Sequence, residues 1–141
     1  MSISIIIDTC VFISALRSNR GASFKILSLI DSDKFEFYLS VALVLEYEAV
    51  AKRSSQKLGL TDSDIEDLID YLCAAGKSRQ VHFLWRPSLK DPSDDFILEL
   101  AVESECDYIV THNIRDFTAT EKFKVKAITP QKFLNIIGAI S

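Results

Sequence analysis

The chain of 141 residues is poor in the residues that build zinc sites and disulfide frameworks. It has three widely separated cysteines, Cys10, Cys73 and Cys106, no CxxC pair, and only two histidines. Because zinc sites and disulfide scaffolds need closely patterned ligands or paired cysteines, neither is predicted. We expect the three cysteines to be buried free thiols.

Long apolar runs and export signals are also missing. No apolar run approaches the roughly 20 residues that a membrane-spanning helix needs. The N-terminal sequence MSISIIID has no basic segment and no cleavage site of small residues, so a signal peptide is not predicted and we expect a cytoplasmic protein that does not engage a membrane. Nucleotide-cofactor binding lacks support, because neither GxGxxG nor a Walker A loop occurs.

Excess positive charge is absent as well. The formal net charge is −4, which argues against a broadly basic nucleic-acid-binding surface. Acidic residues gathered in one pocket would inflate the negative count, so a local basic patch remains compatible with this value. With 48% hydrophobic and 26% charged residues and no internal repeat or linker, residues 1–141 read as one globular domain.

Short apolar strands largely alternate with amphipathic helices along the chain. The predicted strands are Ser2–Ile7, Phe35–Leu39, Gln80–Leu84, Tyr108–Thr111 and Lys124–Ile128. Helices are predicted after Asp8, around Phe24–Ile30, over Val41–Lys52, from Thr61 to Gly76, over Asp91–Glu103 and from Pro130 onward. The order β-α-α-β-α-α-β-α-β-β-α favours an α/β fold, with a mainly parallel sheet of about five strands between two layers of helices.

Acidic side chains occur where the predicted strands end or the following helices begin. Asp8 ends the first strand, and Asn113 and Asp116 follow the fourth. Asp91, Asp94 and Asp95 cluster where the helix before the fourth strand begins. In parallel α/β sheets, functional sites form outside the carboxyl ends of the strands, so these residues are expected near one another.

Glu46 is unusual because it lies on an apolar helical stripe. Its neighbours three and four positions away are Leu43, Ala42, Ala49 and Val50. An unpaired carboxylate there costs several kcal/mol, by order of magnitude, so a compensating partner is expected. That partner is either a cation or a structural group such as a tyrosine or an arginine. Glu48 instead has Lys52 four residues on and is predicted to lie at the surface.

Two of the acidic signals have a structural alternative. Asp91, Pro92 and Asp94 fit the first positions of a helix, where carboxylates cap backbone amides. Asp8 could likewise cap the helix that follows it. As a group, however, several carboxylates at one sheet edge would repel each other unless a hard cation such as Mg²⁺ or Mn²⁺ neutralised them. Hydrolysis of a phosphodiester is a chemistry that such a site supports.

Four segments together resemble the PIN-domain family, specifically the single-domain VapC-like toxins. IIIDTCVFISAL resembles the first family motif, VLEYEAV the second, DPSDDFILELA the third and YIVTHNIRDF the fourth. Each motif alone is weak, but all four occur in order and span nearly the whole chain. The resemblance implies a PIN-like three-layer α/β/α fold.

The resemblance also implies roles for individual residues. Asp8, Glu46, Asp94 and Asp116 would form the catalytic acidic quartet around Mg²⁺ or Mn²⁺, with Asn113 as a further ligand where many relatives have aspartate. The residues implied as supporting the site are Thr9, Thr111, Asp91 and Asp95. Cys10 departs from the asparagine that is usual in the first motif, which bears on fine positioning of the site.

The leading functional hypothesis is a metal-dependent endoribonuclease, the toxin component of a toxin–antitoxin pair. The resemblance implies a protein antitoxin as partner and a homodimer, for which the apolar faces Phe24–Leu29 and Ile65–Leu72 are candidate contacts. A non-catalytic PIN-fold module that binds RNA or protein is the alternative. A haloacid-dehalogenase-like phosphatase also begins with strand-Asp, but it needs a second aspartate where Cys10 stands.

Basic residues near the motifs are candidates for holding RNA. Arg53 lies seven residues after Glu46, Arg17 and Arg20 follow the first helix, and Arg115 precedes Asp116. Contacts from these residues to phosphate would position a strand without reading its sequence. Single-stranded RNA is favoured over structured RNA because its flexible backbone can bend into a pocket at the sheet edge.

Overall fold

The strands and helices alternate as the sequence pattern predicts. The computed structural model describes residues 3–78, 92–117 and 124–139, with side chains in the second range from residue 97 onward. The strands are β1 (Ile3–Ile7), β2 (Phe35–Leu39), β3 (Lys77–Ser78), β4 (Tyr108–Val110) and β5 (Lys126–Ile128). The helices are α1 (Thr9–Arg17), α2 (Ala22–Ser28), α3 (Val41–Arg53), α4 (Ser55–Leu58), α5 (Asp62–Ala75), α6 (Pro92–Ser104) and α7 (Pro130–Ile136).

The five strands form one sheet in the order β3-β2-β1-β4-β5, and all four pairings are parallel. The chain moves outward from β1 to β3, then returns to the other side of β1 for β4 and β5. Helix α6 makes this return and contacts β1, β2 and β4. The predicted α/β fold, a parallel sheet flanked by helices, is confirmed.

The reversal of strand order fixes where a site can form. β1 pairs with β2 on one side and with β4 on the other, so the carboxyl ends of β1 and β4 lie side by side at the switch point. The Asp8 amide donates to the Val110 carbonyl at 3.0 Å and extends this pairing past the end of β1. The connections leaving β1 and β4 diverge here, which opens a crevice at the strand ends.

The core consists of the apolar strands and the helical stripes that cover them. Ile5, Ile6 and Ile7 of β1 are almost fully buried, as are Leu43 and Tyr47 of α3. Helix α5 presents Ile65, Ile69 and Leu72 to the core. Its first turn is closed by a capping box in which Thr61 accepts from the Asp64 amide and Asp64 accepts from the Thr61 amide. The predicted start of this helix is therefore confirmed.

Gly76 ends α5 for a reason other than backbone conformation. Its φ of −86° is available to any residue. A Cβ atom at this position would instead lie 2.8 Å from Phe37 Cε2 and 3.0 Å from Leu39 Cδ1. Gly76 therefore allows the end of α5 to pass directly over buried side chains of β2.

Several local expectations are wrong. The fifth strand begins at Lys126 and not at Lys124, because Lys124 has a left-handed backbone with φ of 64°, which a strand cannot include. The one-turn helix α4 was not predicted; Gly59, at φ of 70°, ends it. The predicted strand Gln80–Leu84 lies outside the described residues. Among the cysteines, Cys106 is buried and Cys10 half-buried, but Cys73 is exposed on α5.

Candidate active site

Asp8 lies at the switch point with a buried carboxylate. It follows the last residue of β1, and only 5% of its surface is exposed. It occupies the N-cap position of α1, but its side chain makes no capping hydrogen bond. The expectation that its carboxylate could cap the next helix is therefore wrong, and the burial of this charge needs another explanation.

The hydrogen bonds to Asp8 converge on one of its two oxygens. Thr111 Oγ1, just after β4, donates to Asp8 Oδ2 at 2.6 Å, and Cys10 Sγ donates to the same oxygen at 3.2 Å. Within residues 3–77, 97–117 and 124–139, Oδ1 accepts no hydrogen bond and no cationic side chain pairs with the carboxylate. A buried carboxylate with one free oxygen and no counter-ion suits a cation ligand.

Glu46 lies close to the same strand end. Thr9 Oγ1 donates to Glu46 Oε2 at 2.8 Å. Because Thr9 follows Asp8 directly, this bond holds the Glu46 side chain beside the end of β1. Glu46 is half-buried, whereas Glu48 forms the predicted pair with Lys52, at 3.6 Å. One structural partner of Glu46 is therefore a threonine.

Tyr47 attaches α3 to β1 beside these acids. Its hydroxyl donates to the carbonyl of Ile7, and its ring stacks on Phe12 with the ring centroids 4.7 Å apart. Burial raises the pKa of Tyr47 well above its usual value, and the negative charges of Asp8 and Glu46 raise it further. The Tyr47 hydroxyl therefore fixes α3 to Ile7, the residue that precedes Asp8. Sequence reasoning missed this residue, although an aromatic with a polar tip next to Glu46 was a usable signal.

The loop after β4 contributes the next candidates. The backbone amide of Asn113 donates to Thr111 Oγ1 at 2.9 Å, and the backbone amide of Asp116 donates to the backbone carbonyl of Asn113 at 3.0 Å. Asn113 is exposed, and Asp116 is half-buried. A cleft of about 380 Å³ is lined by His112, Asn113, Ile114, Arg115 and Asp116. Thr111 therefore links Asp8 to a loop whose polar groups border an open cleft.

The family is decided by comparison with known proteins. The sequence model described as "PIN domain" matches residues 4–115, which include β1, Glu46 and most of the loop after β4. This chain belongs to the PIN-domain family. No curated protein matches it significantly.

A solved structure shares the PIN fold. It is described as VapBC2 from Rickettsia felis bound to a DNA fragment from their promoter. It aligns with a TM-score of 0.61 and 12% identity, over 89% of this chain and 98% of that chain. At this level of identity the likeness concerns the fold alone.

The third acidic segment of the PIN domain is described only in part. Asp94 lies in the first turn of α6, a helix that contacts β1, β4 and the Glu46-bearing helix α3. The side chains of Asp94 and Asp95 and the whole of Asp91 lie outside the described residues. Among the side chains that are described, no three aspartate, glutamate, histidine or cysteine residues lie close enough together to hold a metal ion.

Asp8 and Glu46 are two predicted ligands at the same end of β1, because Thr9, the residue after Asp8, donates to Glu46. Asp8, Glu46 and Asp116 do not make a three-ligand cluster by themselves. Mg²⁺ commonly binds through one or two carboxylates plus water and substrate phosphate, so an incomplete protein shell is compatible with it. The donor set of carboxylate oxygens fits a hard divalent cation, and the free Oδ1 of Asp8 is available to one.

Two of the four arginine candidates lie near a contact between α2 and the loop after β4. Ser23, in the first turn of α2, contacts the ring of His112, with Ser23 Oγ and His112 Nε2 3.3 Å apart. Arg20 precedes Ser23 by three residues, so their Cα atoms are at most roughly 11 Å apart. Residues 17–21 are exposed, and Arg115 is exposed beside the cleft. Arg20 and Arg115 are therefore each within three residues of a member of the Ser23–His112 contact, whereas Arg17 is the last residue of α1, nine residues after Asp8.

Arg53 is separate from this group. It is the last residue of α3, and the helical rise places it roughly 10 Å beyond Glu46 along the helix axis. The contact between Ser23 and His112 was not visible in the sequence, because the two residues are 89 positions apart.

Proposed function

We propose that this PIN domain is a metal-dependent endoribonuclease that hydrolyses RNA phosphodiester bonds, and that it is the toxin component of a toxin–antitoxin pair. The observation that carries the proposal is Asp8, a buried carboxylate at the switch point with a free oxygen and no cationic partner among the described residues. A buried carboxylate of this kind lowers the stability of the fold unless a bound cation neutralises its charge.

In this proposal the cation is Mg²⁺ or Mn²⁺. Asp8, Glu46, Asp94 and Asp116 hold it, directly or through water, and Asn113 adds a neutral oxygen. Thr9 and Thr111 orient Glu46 and Asp8, and Asp91 and Asp95 support the start of α6. When bound, the cation supplies charge neutralisation at the phosphate and lowers the pKa of a water molecule.

The protein itself contributes positioning and preset hydrogen bonds. Thr111 and Cys10 keep Oδ2 of Asp8 occupied, so only Oδ1 is available to a ligand. The cleft along residues 112–116 borders the same strand end and can accept a flexible single strand.

The direct test is cleavage of single-stranded RNA by the purified chain. Activity should require Mg²⁺ or Mn²⁺, stop when a chelator is added, and be lost in Asp8→Asn, which removes a charged ligand with little change in volume. Asp67→Asn, on the exposed side of α5, removes the same charge far from the site and should keep full activity. Wild-type cleavage rates in Asp8→Asn would refute the role of Asp8. Metal-independent RNA binding without cleavage would favour the non-catalytic module.

The side from which RNA enters can be tested separately. We propose that Arg17, Arg20 and Arg115 contact phosphates, and that Arg53 contributes less. Arg20→Gln with Arg115→Gln should weaken binding of an uncleavable 2′-O-methyl RNA and lower the slope of log affinity against log salt by about 1 to 2. Arg53→Gln with Lys57→Gln removes the same charge from exposed positions at α3 and α4 and should leave the slope nearly unchanged. The reverse ranking would place the strand on the α3 side.

The proposed biology adds a protein antitoxin, a homodimer and a cytoplasmic location. The structural relative was solved as VapBC2 with promoter DNA, which supports looking for a similar partner here. None of the described helices has the length and apolar character needed to cross a membrane. A short neighbouring reading frame whose product binds this chain and relieves its toxicity on co-expression would support the toxin role. Growth unaffected by expression of the active chain alone would contradict it.

A further inference from the structure

Cys10 lies between the ends of β1 and β4, where it contacts groups from both. It is the second residue of α1 and is half-buried. Its sulfur donates to Asp8 Oδ2 at 3.2 Å and accepts from the His112 backbone amide at 3.5 Å. It also lies 3.7 Å from Thr111 Oγ1. The Cys10 thiol therefore contacts three groups. These are the Asp8 carboxylate, the Thr111 hydroxyl that also donates to this carboxylate, and the backbone of the loop after β4.

We propose that Cys10 is a positioning residue for metal binding, which holds the Asp8 carboxylate and the loop of residues 112–116 in one arrangement. This inference rests on the proposed function, because it assumes that Asp8 is a metal ligand. A thiol has one hydrogen to donate and lone pairs with which to accept. Cys10 uses the first on Asp8 and the second on His112, so its two bonds connect the two strand ends directly.

The arrangement explains which oxygen of Asp8 is presented. A single hydrogen bond from Thr111 lets the carboxylate rotate about the Cβ–Cγ bond, because the hydroxyl can follow Oδ2 as it moves. A second donor from Cys10, at the start of α1, restricts that rotation and leaves Oδ1 as the unoccupied oxygen. Because Asn113 follows His112 directly, anchoring the His112 amide also fixes the start of the loop that carries Asn113 and Asp116.

The test compares Mn²⁺ affinity in four proteins. Cys10→Ala removes both bonds and should weaken Mn²⁺ binding about 10-fold, the low end of the effect of removing a group that orients a ligand. Cys10→Ser keeps a donor and an acceptor and should recover most of the affinity. Cys73→Ala removes an exposed thiol on α5 and should bind like wild type. Wild-type Mn²⁺ affinity in Cys10→Ala would overturn the proposal.

A second measurement separates this proposal from the proposed function. The bond to Cys10 should protect the His112 backbone amide from hydrogen exchange, so exchange at His112 should be faster in metal-free Cys10→Ala and largely restored in Cys10→Ser. If wild type neither binds Mn²⁺ nor cleaves RNA, the proposed function fails, and exchange at His112 still decides whether Cys10 holds the loop. Unchanged exchange in Cys10→Ala would show that it does not.

Discussion

At the scale of single residues, the site depends on a few hydrogen bonds to buried oxygens. Thr111 is fully buried, and its hydroxyl both donates to Asp8 Oδ2 at 2.6 Å and accepts from the Asn113 amide at 2.9 Å. One short side chain therefore ties the carboxylate at the end of β1 to the loop after β4. No apolar residue of the same shape could replace either bond.

Thr111→Val should lower the free energy of unfolding by about 1 to 3 kcal/mol, because the substitution leaves a buried carboxylate oxygen with one donor fewer. Chemical denaturation at neutral pH measures the change. Thr111→Ser keeps the hydroxyl and loses only a methyl group, which costs about 1 kcal/mol. Equal destabilisation by serine and valine would mean that the hydroxyl contributes nothing.

Tyr71 provides a pH-dependent contact away from the site. Its hydroxyl donates to Asp31 Oδ2, and this hydrogen bond raises the pKa of Tyr71 above 10.0. Because the folded state holds the proton more tightly than the unfolded state, the contact is fully present below about pH 10.0 and is lost as pH rises through the folded pKa. In an ultraviolet titration, the component that disappears in Tyr71→Phe should have a midpoint above 10.0. Asp31→Asn should shift that midpoint downward, and an unshifted midpoint would rule out Asp31 as the cause.

At the scale of elements, the join between α5 and β2 depends on the missing side chain of Gly76. Phe37 and Leu39 are buried and closely packed in the core, so they cannot readily retreat from an added Cβ at 2.8 and 3.0 Å. Gly76→Ala should therefore destabilise the protein by about 1 to 3 kcal/mol through overpacking.

Gly21→Ala is the matched control for this prediction. Gly21 also borders a helix, as the N-cap of α2, and its φ of −87° suits any residue. A Cβ atom added at Gly21 would meet nothing within 4 Å. Alanine there restricts the unfolded chain but is a poorer N-cap residue than glycine, so these opposing effects should leave the free energy of unfolding within about 1 kcal/mol of wild type. Thermal or chemical unfolding of both variants gives the comparison, and equal stability would show that α5 can shift to accept the methyl group.

At the scale of the whole molecule, the expected homodimer needs an exposed apolar surface. Ile65, Ile69 and Leu72, which belong to one proposed contact face, are buried within the chain itself and cannot meet a partner. Helix α3 instead exposes Val41 by 77% and Leu45 by 58%, with Ala49 continuing the same stripe one turn on. An apolar stripe with this exposure is typical of an interface.

Replacing Val41 and Leu45 together by serine should convert the proposed homodimer to monomer, because the stripe on α3 loses most of its apolar area. Light scattering over a range of concentrations measures the molecular mass. Phe24→Ser, at the other proposed face, should leave the dimer intact. A dimer that survives the α3 double substitution but not Phe24→Ser would assign the contact to α2, and monomeric wild type at high concentration would reject the dimer.

The sequence by itself determined the fold class and most of the elements. The spacing of apolar residues and the positions of turn residues are local properties of the sequence. They correctly predicted β2, the start of α5 at Thr61 and the start of α7 at Pro130. The acidic positions Asp8 and Glu46 were also visible, because a carboxylate after a buried strand or on an apolar stripe stands out against its neighbours. Boundaries set by a single backbone angle, as at Lys124 and Gly59, left no such pattern.

Only the tertiary structure decided which of these positions meet. The strand order β3-β2-β1-β4-β5 brings Thr111 against Asp8 across 103 residues, and the packing of α3 on β1 brings Thr9 to Glu46. The tertiary structure also shows that the Asp8 carboxylate does not cap α1, and that Gly76 is needed because α5 ends in close contact with side chains of β2. The physical reason is that periodicity records which face of an element is apolar, whereas pairing between distant strands depends on the free energy of the whole packed core.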